Sequence, residues 1–596
     1  MEVSMALLDD VKRNALRQWI PPARLQLDRW IEENIILPSS ISALPGKVKL
    51  YAYQRAIAEA ITDPLYERVS LVKASRLGFS TLLVCAIGHF ATNEPASTIV
   101  VLPTADDARN FTVDHLEPLF AASPVLRDTL SEAQDETGRN TLLHRRYPGG
   151  SLRIIPARSP RNLRAHTARV LLADELDAWV PTEEGSPLQL AIQRTLTYNN
   201  RKIICGSTPV HADTSAICAA YAASDQRIYE CPCPECGGFT ELLWRHVEWE
   251  PDHPETAAFR CPHCKGLVHE KYKPQMVSRG EWRATRPEIV GHAGFRLNSL
   301  VSPLMNASWS KLAAEFLAAK DHPELLQVFI NTALAEPWSG PGGDLQEDRL
   351  QSRAEEYSLE NIPAEVLCCT LGADLQDDRV EASVLGWTRS GECLILGHFI
   401  VWGSFADSET WAEFDELLKS KWRHPWGGQL KIDAAVVDAG DGDHFDHVLA
   451  FCVPRANRRI FGGKGMYGNR PGFQMAKGKR IAGKLALIGV DVLKSVIFDR
   501  LARGQGIRFS RSLEANYFEQ LASQRRVVRY HRGMPTRRFE MVSARARKEA
   551  LDCLTYGWAA RQALGNINFA MREEYLKNPG APRRSLAELL AEQLPH

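Results

Sequence analysis

Val72-Lys73-Ala74-Ser75-Arg76-Leu77-Gly78-Phe79-Ser80-Thr81 follows the apolar run Val69-Ser70-Leu71 and leads into a second apolar stretch, Leu82 to Phe90. Nucleotide phosphates are held by backbone N–H groups at a helix N-terminus, with a lysine and a hydroxyl close by. This segment supplies every one of those parts in an unusual order. The familiar pattern has a lysine immediately before its hydroxyl residues; here that position is Phe79, and the lysine, Lys73, stands at the front of the loop. A strand, a turn and a helix with one glycine are common, so the segment alone is a weak signal.

A second stretch adds weight. Val170-Leu171-Leu172-Ala173-Asp174-Glu175-Leu176-Asp177 is an apolar strand pattern that stops at paired carboxylates about 100 residues after the loop. Asp174 suits Mg²⁺ held through water, and Glu175 suits the orientation of an attacking water. Thr98–Leu102 and Lys202–Cys205 are further apolar runs, followed by Pro103-Thr104-Ala105-Asp106 and Gly206-Ser207-Thr208-Pro209. Small polar residues at the carboxyl ends of buried strands mark the ligand edge of an open parallel sheet. Helical patterns separate the runs, so residues 50–215 are expected to form an α/β fold with a mostly parallel sheet, and an ATPase is the leading reading. Arg76 is the arginine expected to act within the chain. Arg158, Arg161 and Arg164 fit an arginine finger and a DNA contact equally well.

Five of the thirteen cysteines crowd into one stretch. Cys233-Pro-Glu-Cys236 and Cys261-Pro-His-Cys264 have the spacing of two zinc knuckles, with Gly237-Gly238 and Gly266 allowing tight turns. A closed four-thiolate Zn²⁺ of this kind is structural. Cys231 is left over, and the other eight read as small buried hydrophobes.

A second α/β block is expected from about residue 366. Leu371 to Trp387 reads as a hairpin with Asp374 in an apolar strand, Ala434 to Gly440 ends a buried strand at Asp438, and Glu549 to Tyr556 places Asp552 in an apolar helix. Three acids at separate, otherwise apolar sites can converge on one or two Mg²⁺ or Mn²⁺ ions that hydrolyse a phosphodiester. The second acidic segment reads DAGDGDHF, so Asp441 and Asp443 leave the choice of ligand open. Residues 454–484 carry nine Lys and Arg, no acid, and Phe461, Tyr467 and Phe473 between them. They are expected to form a mobile glycine-rich loop that tracks a nucleic-acid backbone through Lys464, Arg470, Lys477, Lys479 and Arg480. Arg525 to Arg538 is a second basic run.

The 596 residues balance 72 Lys and Arg against 72 Asp and Glu, with 44% hydrophobic and 24% charged residues. That is the composition of a globular protein of several domains, without a wholly basic coat. No apolar run approaches the roughly 18 residues of a membrane span, and the N-terminus lacks a signal-peptide layout, so no membrane partner and a cytoplasmic location are expected. The expected domains are an N-terminal segment, 1–48; a P-loop ATPase domain, 49–340, with a zinc-ribbon insert at 229–268; a linker, 341–365; a nuclease domain, 366–565; and a tail, 566–596. A helicase or repair translocase with a DNA-binding second block, and a zinc-stabilised DNA-binding scaffold, are the alternatives on residues alone.

The ordered set resembles the lambda-type (GpA-like) terminase large subunits of tailed bacteriophages, over roughly residues 25–565. It comprises Trp30, Leu37-Pro38, Pro45-Gly46, Tyr53-Gln54, Lys73–Thr81, Pro103-Thr104, Leu172–Glu175, Gly206–Pro209, the two knuckles, Gly372–Trp387, Asp438-Ala439-Gly440 and Glu549–Asp552. The resemblance implies an ATP-driven motor that pumps double-stranded DNA into a procapsid, and an RNase H-like nuclease that cuts it. It places Gln54 on adenine, Lys73 and the loop on the phosphates, Glu175 as catalytic acid and Gly206, Ser207 and Thr208 in coupling. It makes Asp374, Asp438 and Asp552 metal ligands. The implied partners are a terminase small subunit, met through residues 1–48, and a portal, met through the tail, with the chain a homo-oligomer on that portal in the host cytoplasm.

Overall fold

Runs such as Ile99–Leu102 and Val170–Ala173 are apolar at every position because both faces of their sheet are covered. In the computed structural model, which describes residues 24–42, 44–127, 129, 140–339, 345–440, 443–468, 470–477, 485–543 and 546–579, alternate residues of these strands enter two different cores. Ile99, Val101, Leu171 and Ala173 go to one, and Val100, Leu102, Val170 and Leu172 to the other. The chain divides into two units. The first comprises the described residues of Met1–Lys320, Leu325–Ser339 and Tyr530–Pro535, and the second those of Asp321–Glu324, Gly340–Arg529 and Thr536–His596.

The first unit is built on a ten-stranded sheet. In chain order its elements are α1 (Leu27–Asn34), α2 (Ala52–Thr62), β1 (Arg68–Lys73), α3 (Phe79–Thr92), β2 (Thr98–Leu102), β3 (His144–Tyr147), β4 (Gly150–Pro156), β5 (Val170–Asp174), β6 (Lys202–Ser207), α4 (Ala216–Ala222), β7 (Arg227–Pro232) and β8 (Phe239–Glu241). A separate three-stranded sheet, β9 (Val247–Glu250), β10 (His253–Arg260) and β11 (Leu267–His269), follows. Then β12 (Glu281–Ala284) and β13 (His292–Leu297) return to the main sheet. The strand order is β8-β7-β13-β1-β6-β5-β2-β4-β3, with β12 on β7. The central strands are parallel: Val72 lies opposite Ser207, and Asp174 opposite Gly206. Strand β6, which carries Gly206 and Ser207, therefore sits between the strand that ends at Lys73 and the Asp-Glu strand.

Two expected boundaries shift here. Leu27, Trp30 and Ile31 of α1 pack in the same core as Ile87 and Phe90, and Arg55 of α2 pairs with Asp28 and Glu32 at 3.3 and 2.7 Å. Residues 24–48 thus belong to the first unit's fold rather than forming a separate segment. The insert is not free-standing either: β7, which overlaps its expected start, is a strand of the main sheet, and Cys231, Phe259 and Val268 share a core with Tyr53 and Val72.

The second unit contains β14 (Ala354–Glu355), β15 (Cys368–Leu375), β16 (Arg379–Trp387), β17 (Cys393–Trp402), β18 (Gln429–Asp438), α5 (Asp443–Cys452), β19 (Ile460–Met466), β20 (Gln474–Met475), β21 (Leu485–Gly489), α6 (Val490–Arg503) and β22 (Ile507–Ser510). A two-stranded ribbon, β23 (Gln524–His531) and β24 (Met534–Met541), then precedes α7 (Glu549–Ala563) and α8 (Phe569–Lys577). The main order is β14-β22-β17-β16-β15-β18-β19-β21-β20. The hairpin β15–β16 is antiparallel, as expected from Leu371 to Trp387, while β15, β18, β19 and β21 run parallel.

Three further expectations are corrected. Part of the supposed mobile basic loop is β19, inside the sheet. Gly463 is there for packing: a Cβ on it would lie 2.5 Å from Val436 Cγ1. Much of the expected linker 341–365 is folded onto this unit, with Leu350, Tyr357 and Ile362 in its cores. The expected tail begins as α8, whose Leu576 is buried and whose Arg572 pairs with Asp433; residues 580–596 lie outside the described residues.

Helix α7 crosses β15 at unusually short range. A Cβ on Gly372 would stand 2.0 Å from Cys553 O and 2.1 Å from Gly557 N, both of them backbone atoms that cannot rotate away. Gly372→Ala is therefore expected to destabilise the second unit by about 3 kcal/mol or more. Thermal unfolding followed by near-UV circular dichroism would read this; an unchanged melting transition contradicts the packing.

Candidate active sites

Strand β1 delivers Lys73 buried at its carboxyl end, and the loop then turns through Arg76 and Gly78, with φ of +62° and +83°. Gly78 is the N-cap of α3. Glycine takes the left-handed conformation freely; a non-glycine residue there, such as Arg76, carries strain of about 1–3 kcal/mol. The Ala74 and Ser75 N–H groups donate to Leu297 O and Thr332 O, both at 2.8 Å, which anchors the front of the loop. Gln54 braces its far end: its Nε2 donates to Leu77 O at 3.0 Å, while its Oε1 accepts from Tyr51 N at 3.1 Å. Both ends of that amide are engaged in holding the loop.

The Asp-Glu strand completes the site. Lys73 Nζ lies 2.8 Å from Glu175 Oε1 and 3.8 Å from Asp174 Oδ1, and Ser80 Oγ donates to Asp174 Oδ2 at 2.8 Å. Burial raises the Asp174 carboxyl above its ordinary range, and Lys73 opposes that shift. Glu175 ends the strand in a left-handed turn, φ +51°, with its side chain partly open to solvent. Thr208 Oγ1 approaches Glu175 Oε2 at 3.5 Å. Gly206 is required because the Phe79 ring lies against it, where a Cβ would come within 2.1 Å of Cε1. That contact gives Phe79 a packing role in place of the missing lysine. Arg76 is exposed and makes no ion pair among the described residues. Asp177, singled out only as part of the acidic turn, is half-buried and accepts from Val210 N and Ile217 N, both at 2.9 Å.

In the second unit the register sets Ala373 opposite Val437, so the ends of β15 and β18 bring Asp374 and Asp438 side by side, and α7 adds Asp552. Gln376 Nε2 donates to Asp374 at 2.7 Å, Gly440 N to Asp438 at 3.1 Å, and the Tyr556 hydroxyl also bonds Asp438. Lys494 and Lys548 pair with Asp552 at 2.7 and 2.8 Å. Burial first, and then the Asp552 and Asp438 charges, hold the Asp374 carboxyl well above the usual range. Three mutually repelling acids in a largely buried cluster are a donor set that suits a hard divalent cation. Tyr556 and Lys548 lie four residues either side of Asp552, a helical spacing readable in sequence. Lys494, 58 residues earlier, carries no such signal.

The four cysteine sulfurs form a compact group, each Sγ within 4.8 Å of the others, with Cys233–Cys264 and Cys236–Cys261 both at 3.9 Å. Zinc–thiolate bonds of about 2.3 Å put tetrahedral sulfurs about 3.8 Å apart, so the set fits that ion. The knuckles repeat one backbone pattern: Cys233 N bonds Gly238 O and Gly237 N bonds Cys233 O, while Cys261 N bonds Gly266 O and Lys265 N bonds Cys261 O. In the second knuckle the left-handed residue is Lys265, φ +62°, not Gly266. Gly266 instead lets the Glu235 carboxylate close over the knuckle, where a Cβ would make that side chain move.

A sequence model described as the ATPase domain of phage terminase large subunit gpA matches residues 42–282, and one described as the endonuclease domain of terminase large subunit gpA matches residues 292–571. The chain belongs to the GpA-like terminase large subunit family. The terminase large subunit of Enterobacteria phage P21 is 26% identical over 591 residues, covering 91% of this chain and 90% of that protein. That of Escherichia phage lambda is 25% identical over 595 residues, covering 92% and 91%. A solved variant of the Thermus phage P74-26 large terminase ATPase domain aligns at 17% identity over 49% of this chain and 95% of that one, with a TM-score of 0.28, too loose an overlay for comparing residues. This terminase large subunit is an ATPase and an endonuclease of phage DNA packaging. Among its described residues no helix is long and apolar enough to cross a membrane.

The terminase fold thus brings together Lys73, Ser80, Asp174, Glu175 and Thr208 in one place, and Asp374, Asp438 and Asp552 in another. Of the expected DNA contacts, Lys464 is in β19, and Arg470 and Lys477 are exposed. Lys479, Arg480, Asp441 and the Asp443 side chain fall outside the described residues. The second basic run is the ribbon β23–β24, on which Arg526 pairs with Asp499, Arg529 with Glu540, and Arg538 covers the Tyr467 ring at 5.3 Å.

Proposed function

We propose that this terminase large subunit uses ATP hydrolysis to drive double-stranded DNA into a procapsid and cuts the concatemer with a separate metal-dependent nuclease. The observation that carries this reading is the pair of acid clusters, each at the carboxyl ends of parallel strands in its own unit. In the first, the loop 73–81 cradles the phosphates, Lys73 leaves Glu175 to meet them, and Ser80 and Asp174 hold the Mg²⁺ that accompanies ATP. Glu175, freed of Lys73, accepts a hydrogen bond from the water that attacks the γ-phosphorus. Thr208, next to Glu175 on the coupling segment, feels that change first. Arg76 neutralises charge on the transferring group.

In the second unit Asp374, Asp438 and Asp552 form the nuclease centre. Bound Mg²⁺ or Mn²⁺ there supplies Lewis-acid polarisation of the scissile phosphodiester and a more acidic water. The basic residues around β19 and on the ribbon track the DNA backbone. The further parts of the proposal are a small-subunit partner, a homo-oligomer on the portal, and action in the host cytoplasm. Purified chain, small subunit and procapsids should convert linear duplex DNA to a nuclease-protected form only when ATP is present. Active ATP turnover with no protected DNA, but with strand separation, would favour a helicase instead.

The four thiolates hold one structural Zn²⁺, with the Gly238 N–H lowering the Cys236 thiol to about 7 and so favouring the thiolate. Metal analysis of purified protein should return about one zinc per chain, released by a thiol-modifying mercurial. Zinc-free protein with an unchanged melting transition would remove this part of the reading.

A further inference from the structure

Asp552 differs from its two partners in the nuclease centre. Each of its carboxylate oxygens is taken by an ammonium group, Oδ1 by Lys494 Nζ at 2.7 Å and Oδ2 by Lys548 Nζ at 2.8 Å. Lys494 is buried in α6 and fixed by a second bond, to Gln524 Oε1 at 2.9 Å. Lys548 stands one helical turn before Asp552, with its side chain 50% exposed. Asp374 and Asp438 have no cation in ion-pair range among the described residues; an amide, a backbone N–H and a phenol hold them.

Charge balance then separates two arrangements. Three carboxylates and two ammonium groups leave one net negative charge, and a phosphodiester adds another. One divalent cation brings that assembly to neutrality, whereas two leave it doubly positive. In a largely desolvated cluster uncompensated charge is strongly disfavoured, so the neutral arrangement wins. The contacts agree, since both Asp552 oxygens are already held by the lysines while Asp374 and Asp438 have no cation in ion-pair range among the described residues. We propose that this centre takes a single divalent cation, between Asp374 and Asp438, and that Lys494 and Lys548 supply on the Asp552 side the positive charge of a second ion. The proposal rests on the nuclease reading above and deepens it. The lysines are positioning residues: they hold Asp552 in place, and Lys548 is the one of the two that lies open to an incoming phosphate.

The test is the number of ions bound. Full-length, nucleotide-free protein with a short nuclease-resistant duplex bound is titrated with Mn²⁺ while free Mn²⁺ is read by electron paramagnetic resonance, and the stoichiometry of Asp374→Asn is subtracted to isolate the nuclease centre. The expected difference is one ion for the wild type and for Lys548→Arg, and two for Lys548→Glu and for Lys494→Met/Lys548→Met, each of which leaves four negative charges to balance once the phosphodiester is counted. Near-UV circular dichroism checks folding, and Lys548→Glu alone, at a half-exposed site, is the mild variant. Two ions in the wild type overturn the proposal. One ion in folded Lys548→Glu and in the folded double variant also overturns it, leaving the lysines a purely structural role. No difference between wild type and Asp374→Asn would instead overturn the nuclease-centre reading itself.

Discussion

Glu175→Gln slows ATP hydrolysis by roughly 10²–10⁴-fold, the range lost when a positioned general base is neutralised, and leaves DNA cleavage intact. The substitution keeps the size and the hydrogen-bonding atoms of the side chain, so the left-handed turn and the contact near Thr208 survive. What disappears is the charge. In the resting site that charge holds Lys73 at 2.8 Å, and during turnover it polarises water. Lys73 is therefore released, and nucleotide affinity is retained or rises while turnover collapses. Equilibrium binding of a fluorescent ATP analogue and steady-state phosphate release separate the two effects. Parallel loss of affinity and turnover would instead mean that Glu175 mainly shapes the loop. The ATPase should fail alone, because the second acid cluster is built on another sheet.

Asp374→Asn abolishes cleavage to within about a thousandth of wild type, or roughly 4 kcal/mol of lost metal-assisted stabilisation, while ATP turnover continues. A second, opposite effect distinguishes a metal ligand from a structural acid. Burial and the neighbouring Asp552 and Asp438 charges hold the Asp374 carboxyl well above its ordinary range. Without metal, the folded protein then binds more protons than the unfolded chain between the ordinary carboxylate pKa and that raised value. Stability falls as pH climbs through this window. Asp374→Asn removes the buried charge, so in chelator it should raise the melting temperature at neutral pH and flatten the pH slope. Cleavage that persists in the folded variant would move the second unit to a DNA-binding role. A lower melting temperature in chelator would show that Asp374 serves the fold.

Much of the terminase was readable in its residues because its chemistry is local. The loop Lys73–Thr81 and the strand ending at Asp174-Glu175 are each continuous segments whose residue types state their use, and C-x₂-C spacing states the knuckles. Apolar runs buried on both faces announced the sheet through composition alone. Asp374, Asp438 and Asp552 stood out one by one as acids in apolar surroundings. Their convergence was inferred from that shared oddity and from the family resemblance, not from spacing, since they lie up to 178 residues apart.

Tertiary structure decided what depends on contacts distant in sequence. The glycines at 462 and 463 read as a flexible basic loop, yet they are the thin part of a sheet strand: Val436 and Ile488 leave no room for a Cβ on Gly463, and Leu449 and Val448 crowd Gly462. Phe79 reads as a departure from the phosphate-loop pattern, and only the fold shows its ring filling the space over Gly206. Lys494 has no sequence tie to Asp552, and its role follows from α6 lying beside α7. Domain edges moved for the same reason: Trp30, Leu350 and Leu576 are buried by partners far along the chain, and burial of that kind leaves no mark on the local segment. Local pattern determined the chemistry present in this protein, and packing determined which groups share a site and how many charges each site must balance.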